Sequence, residues 1–127
     1  MTKYQIGMSD EENQDLKNKI VIGPVEEINI VGLNKQGVFA SRVDTGATSS
    51  SIDAKIVADL KLGPVVSVKT VRNAHGETLR PVVEAEISIK GKKMKTTFTV
   101  ADRTKMKYKV LIGRNILKEG FLIDVNK

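Results

Sequence analysis

A chain of 127 residues with 40% hydrophobic content can build one compact domain and is too short for two of ordinary size. Without cysteine it forms no disulfide and has no thiolate to offer a metal or a substrate, which excludes cysteine catalysis and thiolate-bound zinc. The net charge of +6 is concentrated in residues 89–109, where eight Lys and Arg face one acid, Asp102; aromatic residues, at 4%, are too few to stack many nucleic-acid bases.

The first nineteen residues are polar and read as an arm with a short strand near residues 4–6, followed by a domain over residues 20–127. The start lacks the apolar segment of a signal peptide, and no run approaches the roughly 20 residues of a membrane span. A cytoplasmic protein with no membrane partner is expected. From Ile20 short β-rich runs alternate with Gly, Pro and Asn: "IVIG", "VEEINIVGL", a turn at "NKQG", then "VFASRV" leading into Asp44. In "SIDAKIVADLKLG" the fourfold spacing of Ile52, Ile56 and Leu60 predicts a helix, capped by Ser51 or Asp53 and ended by Gly63-Pro64. A strand, "VVSVKTV", precedes the polar turn "RNAHGET". Val83, Ala85, Ile87 and Ile89 then alternate with polar residues, and Met94, Thr96, Phe98 and Val100 do so across "KGKK", which predicts a hairpin. "YKVLIG", the short helix "RNILKEG" and the strand "FLIDV" complete the chain. Many short strands with one or two short helices predict a mainly β, small barrel or sandwich-like domain.

Two motifs carry chemistry. In "VDTGA" an apolar strand lifts Asp44 to its end, Gly46 lets the backbone turn under the carboxylate, and the Thr45 hydroxyl can fix the loop. A turn aspartate that only caps its own backbone is the plainer alternative. In "VLIGRNIL", near the C-terminus, an apolar strand runs through Gly113 into Arg114 and a helix start. Arg114 reads first as a structural residue that ties down neighbouring carbonyls or a carboxylate.

Together "VDTGA" and "LIGRNIL" resemble the retropepsins, single-domain aspartic proteases of retroviral type, over about residues 20–125. "DTGATSSSIDA", "RPVV" and "FTVADRTKMKYKVLIGRNIL" are similar, more narrowly, to the retropepsin-like family associated with RimK-type glutamate ligases. The resemblance implies a small closed β-barrel and a half-site protomer: the aspartate that a lone Asp-Thr-Gly lacks is Asp44 of a second copy. It also implies a water held between two carboxylates that share one proton, with peptide or protein as substrate. Asp44, Thr45 and Gly46 would form the catalytic loop. Ala47, Thr48, His75 and Gly76 would contact substrate, and Gly113 and Arg114 would support the site.

The chain departs from the pattern in three ways. Thr48 stands where retroviral enzymes carry an acid, so Arg114 needs another partner. The flap, glycine-rich in those enzymes, has here His75 and the single Gly76. Members of the narrower family are commonly labelled ATP-dependent zinc proteases, yet the chain has one His, no Cys and no phosphate-binding loop, so no metal and no cofactor is expected. The association with glutamate ligases suggests acidic or glutamate-extended substrates. The competing readings are a catalytically silent peptide-binding or dimerisation module that keeps the fold, and a basic RNA-associated protein, which the scarcity of aromatics disfavours.

Overall fold

From Ile20 onward, nine strands and two short helices account for most of the residues in the computed structural model, which describes Ser9, Glu11 and residues 16–127. The strand expected near residues 4–6 lies outside the described residues. In chain order the elements are β1 (Ile20–Ile22), β2 (Val25–Val31), β3 (Gln36–Val43), β4 (Ser50–Asp53), α1 (Ala54–Leu60), β5 (Val65–Asn73), β6 (Gly76–Ile89), β7 (Lys92–Ala101), β8 (Val110–Ile112), α2 (Arg114–Leu117) and β9 (Phe121–Ile123). Among the described residues no helix is long and apolar enough to cross a membrane.

Period-two patterning sets the sheet. Val83, Ala85, Ile87 and Ile89 of β6 point inward together, and Phe98 of β7 meets Val83 in register. Lys90 and Gly91 make the turn between these strands with φ of 51° and 81°, the left-handed pair that a tight hairpin needs. Six strands run β2-β3-β8-β4-β7-β6, and β6 returns to β2 through Asn29–Ser88, Ile30–Ile87 and Val31–Glu86, so the barrel closes. Closure leaves no free edge among these six strands, β5 adding only to β6 outside the ring, and encloses one core, in which Ile28, Ile30, Ile52, Ile89, Phe98 and Ile112 are fully buried. Each such side chain contributes about 1.5–3 kcal/mol by leaving water.

The expected helix is shorter than its pattern. Ser50–Asp53 is strand β4, parallel to β7 and antiparallel to β8, and the helix starts only at Ala54. Asp53 stands at the cap position without capping through its side chain; its carboxylate instead accepts the Arg103 N–H at 2.7 Å. The helix ends at Lys61, left-handed with φ 54°, before Gly63-Pro64 is reached. Ile52, Ile56 and Leu60 are all buried as their spacing implied, the first from a strand.

The two ends of the domain meet. β1 pairs parallel with β9, Val21 beside Leu122, and this small sheet stands apart from the barrel sheet. Ile22 and Phe121 face the core, whereas Val21, Leu122 and Val125 are exposed.

Candidate active site

Strand order alone creates the loop that carries Asp44. β8 lies between β3 and β4, so the connection over residues 44–49 must pass across the end of β8. Gly113 sits at that crossing. A Cβ there would lie 2.5 Å from the Ser49 carbonyl oxygen and 2.9 Å from that of Ala47, distances no side chain tolerates. Glycine is required here for close approach, not for an unusual φ.

The loop is fastened from several sides. The Asp44 N–H donates to the Ile112 carbonyl at 2.9 Å, and the Arg114 N–H to the Ala47 carbonyl at 2.8 Å. Buried Ser50 accepts the Gly113 N–H at 2.9 Å and donates to Asn115 Oδ1 at 2.7 Å. The Asn115 amide nitrogen continues to the Thr97 carbonyl and to Thr96 Oγ1. A satisfied polar network anchored on a buried hydroxyl in this way rigidifies what it touches. Nothing in the sequence marked Ser50 among its neighbouring serines; its partners, Gly113 and Asn115, lie at the start of α2, more than sixty residues along the chain.

Asp44 itself is half-buried at the end of β3. One carboxylate oxygen, Oδ1, accepts the Gly46 N–H at 2.9 Å, so the bland local cap is present. That bond also fixes the direction of the carboxylate. A Cβ on Gly46 would crowd the same oxygen at 3.2 Å. Thr45 and Gly46 are exposed beside it.

Arg114 joins the loop to helix α2. Its guanidinium donates to the Thr45 carbonyl at 3.1 Å and to Thr48 Oγ1 at 3.0 Å, so a hydroxyl takes the place of the absent acid. Ala47 and Thr48 thus belong to the same assembly as Asp44. His75 and Gly76 do not share those contacts: they lie at the exposed tip of the β5–β6 hairpin, where the His75 N–H donates to Asn73 Oδ1 and Gly76 has φ +122°. That turn is tighter than "RNAHGET" suggested, because both strands extend into it and only Ala74 and His75 remain outside them. The hairpin reaches the loop elsewhere, through Lys69 Nζ donating to Ser49 Oγ at 3.3 Å.

Beside the loop, residues 102–109 form a tight bend into β8. Asp102 accepts the Thr104 N–H at 3.0 Å rather than pairing with Arg103, and hydrogen bonding from Thr104 holds its carboxyl below the usual value. Arg103 donates to the Tyr108 carbonyl, and its burial lowers its pKa against the opposing pull of Asp53. Lys109 donates to the carbonyls of Arg103, Thr104 and Met106. Much of the basic stripe is therefore engaged in contacts within the chain, at its surface: Lys95 pairs with Glu84, and Lys92 donates to the Glu119 carbonyl while lying over the Phe121 ring. Among the described residues no three His, Asp or Glu side chains converge where a metal ion could be held.

A closed barrel with one Asp-Thr-Gly loop seated on an apolar-Gly strand is the aspartic-protease fold in its single-domain, retropepsin form. The chain belongs to the RimB-like family, described as the retropepsin-like aspartic endopeptidase RimB, whose model matches residues 57–127. That match begins after the Asp44 loop and includes Gly113 and Arg114. No curated protein matches the chain. Among solved structures, the EIAV protease complexed with the inhibitor HBY-793 is similar at TM-score 0.60 and 24% identity, over 76% of this chain and 86% of that one. The simian foamy virus protease has TM-score 0.57 and 18% identity over 74% and 91%, and a Legionella pneumophila protein of unknown function 0.58 and 20% over 84% and 94%. These likenesses establish the fold.

Proposed function

We propose that the protein is an aspartic endopeptidase whose catalytic centre forms when two copies bring their Asp44 loops together. The observation that carries this reading is the single Asp44 carboxylate, oriented by the Gly46 N–H, on a loop fastened to β8 and α2. One carboxylate cannot do this chemistry alone. Two facing carboxylates a few ångströms apart share a proton, since both ionising together is costly. The charged one removes a proton from the bound water as the water attacks the peptide carbonyl. The protonated one polarises that carbonyl, and a proton then passes to the leaving amine. No covalent enzyme intermediate forms.

The exposed apolar residues Val21, Leu122 and Val125 at the joined chain ends support a homodimer, because such a cluster gains from being covered by a second copy. Substrates are peptides or proteins, and the net charge of +6 favours acidic or glutamate-extended ones. We place the protein in the cytoplasm, in keeping with its lack of cysteine, and take residues 20–127 as the working domain. The test is cleavage of a proteome-derived peptide pool by wild type and Asp44→Asn, each checked for its state of association by sedimentation. Loss of all cleavage in Asp44→Asn with the dimer retained is expected. Equal cleavage by both removes Asp44 from the chemistry, and no cleavage by a dimeric wild type leaves a binding module.

A further inference from the structure

The β5–β6 hairpin has two unlike faces. Residues directly opposite in an antiparallel pair share a face. Ser67 with Val82, Lys69 with Arg80 and Val71 with Thr78 therefore lie on one side. Val68 with Pro81, Thr70 with Leu79 and Arg72 with Glu77 lie on the other. The second side is exposed throughout, whereas Val71, Arg80 and Val82 of the first are half-buried. Lys69 identifies what the first side faces, since its ammonium donates to Ser49 Oγ on the segment that begins at Asp44.

This inner face sets two cations side by side. Lys69 and Arg80 are direct cross-strand partners, a position in which Cβ atoms stand about 5 Å apart and like charges destabilise the pair. The ion pair of the hairpin lies on the other face, Arg72 with Glu77 at 2.9 Å, and among the described residues no carboxylate pairs with Lys69 or Arg80. Folding does not call for this arrangement; an anion between hairpin and loop would relieve it.

We propose that Lys69 and Arg80 form a carboxylate-binding subsite on the inner face of the hairpin, which holds an acidic side chain of a peptide lying over the Asp44 loop. The guanidinium offers a two-pronged donor edge and the ammonium a mobile point charge, so one carboxylate can engage both. The subsite thereby selects Glu or Asp at one position near the scissile bond. This rests on the peptidase reading, and it assigns the selection to the hairpin rather than to β7, whose Lys92 and Lys95 are engaged with the Glu119 carbonyl and with Glu84.

The test uses a set of fluorescent peptides that are identical except for Glu or Gln at one position, moved stepwise along the sequence. Cleavage by wild type, by Lys69→Gln/Arg80→Gln and by Lys69→Glu/Arg80→Glu is compared through kcat/KM. Wild type should prefer Glu at one position by about tenfold or more, as a charge-assisted contact implies. The Gln pair should lose that preference while still cleaving the Gln peptide, and the Glu pair should turn it toward a peptide with Lys there. An unchanged Glu-to-Gln ratio in both variants overturns the proposal. Binding of the same peptides to Asp44→Asn is measured in parallel, so that subsite and chemistry are read separately. Acidic binding that depends on Lys69 and Arg80, with no cleavage by wild type, supports the subsite and rejects the peptidase reading. Binding indifferent to both residues rejects the subsite whatever the cleavage.

Discussion

Arg114 reaches two oxygens of the Asp44 loop, the Thr45 carbonyl and the Thr48 hydroxyl, and neither carries a full charge. Replacing Thr48 by Asp would supply the acid that retroviral enzymes place there. Because the contact is exposed, the gain should not exceed about 1 kcal/mol. Urea unfolding of Thr48→Asp should show this gain at low salt and its decline at high salt. Asp102 provides a pH-dependent counterpart. Its carboxyl is held below the ordinary value by Thr104, so its contribution to stability is present above the ordinary aspartate range and is lost as the pH falls through the lowered value. The stability difference between wild type and Asp102→Asn should therefore be constant near neutrality and close in strong acid, as acid-titrated unfolding would show. Both residues were visible in the sequence. The hydroxyl that Arg114 meets was not, because Thr48 and Arg114 are linked only by the crossing of the loop over β8.

At the scale of elements, β8 was legible because an apolar run ending in Gly-Arg leaves few alternatives, and the hairpin of β6 and β7 because its alternation is long. β4 was not. Ile52, Ile56 and Leu60 repeat at a helical interval, yet Ile52 belongs to a strand held between β7 and β8 by partners far along the chain. Local periodicity cannot register such pairing. The close passage of β8 beneath the loop makes Gly113→Ala a direct probe. The added methyl meets backbone oxygens that can move only by displacing the loop. A stability loss of about 1–3 kcal/mol is expected, together with a larger proportional loss of cleavage, measured by denaturant unfolding and by kcat/KM. Full activity in Gly113→Ala would mean that the loop need not be held where β8 puts it. Deleting residues 121–127 removes β9, the partner of β1. It should leave a monomer or an unfolded chain; an unchanged dimer by sedimentation would place the interface elsewhere.

For the molecule as a whole, activity is expected to belong to a pair of chains. A proton shared by two carboxylates makes the rate fall on both the acid and the alkaline side, with the maximum on the acidic side of neutrality. A profile flat from acid to alkaline pH would be incompatible with the dyad. If each active site contains one Asp44 from each of two copies, mixing subunits must show it. Wild type and Asp44→Asn are unfolded together, refolded at equal amounts so that subunits pair at random, and assayed on a peptide that wild type cleaves. If a mixed dimer is inactive, activity falls to about a quarter of that of the same total protein as wild type, since only dimers with two wild-type chains contribute. If about half remains, each chain works with its own Asp44 alone and the shared site is contradicted.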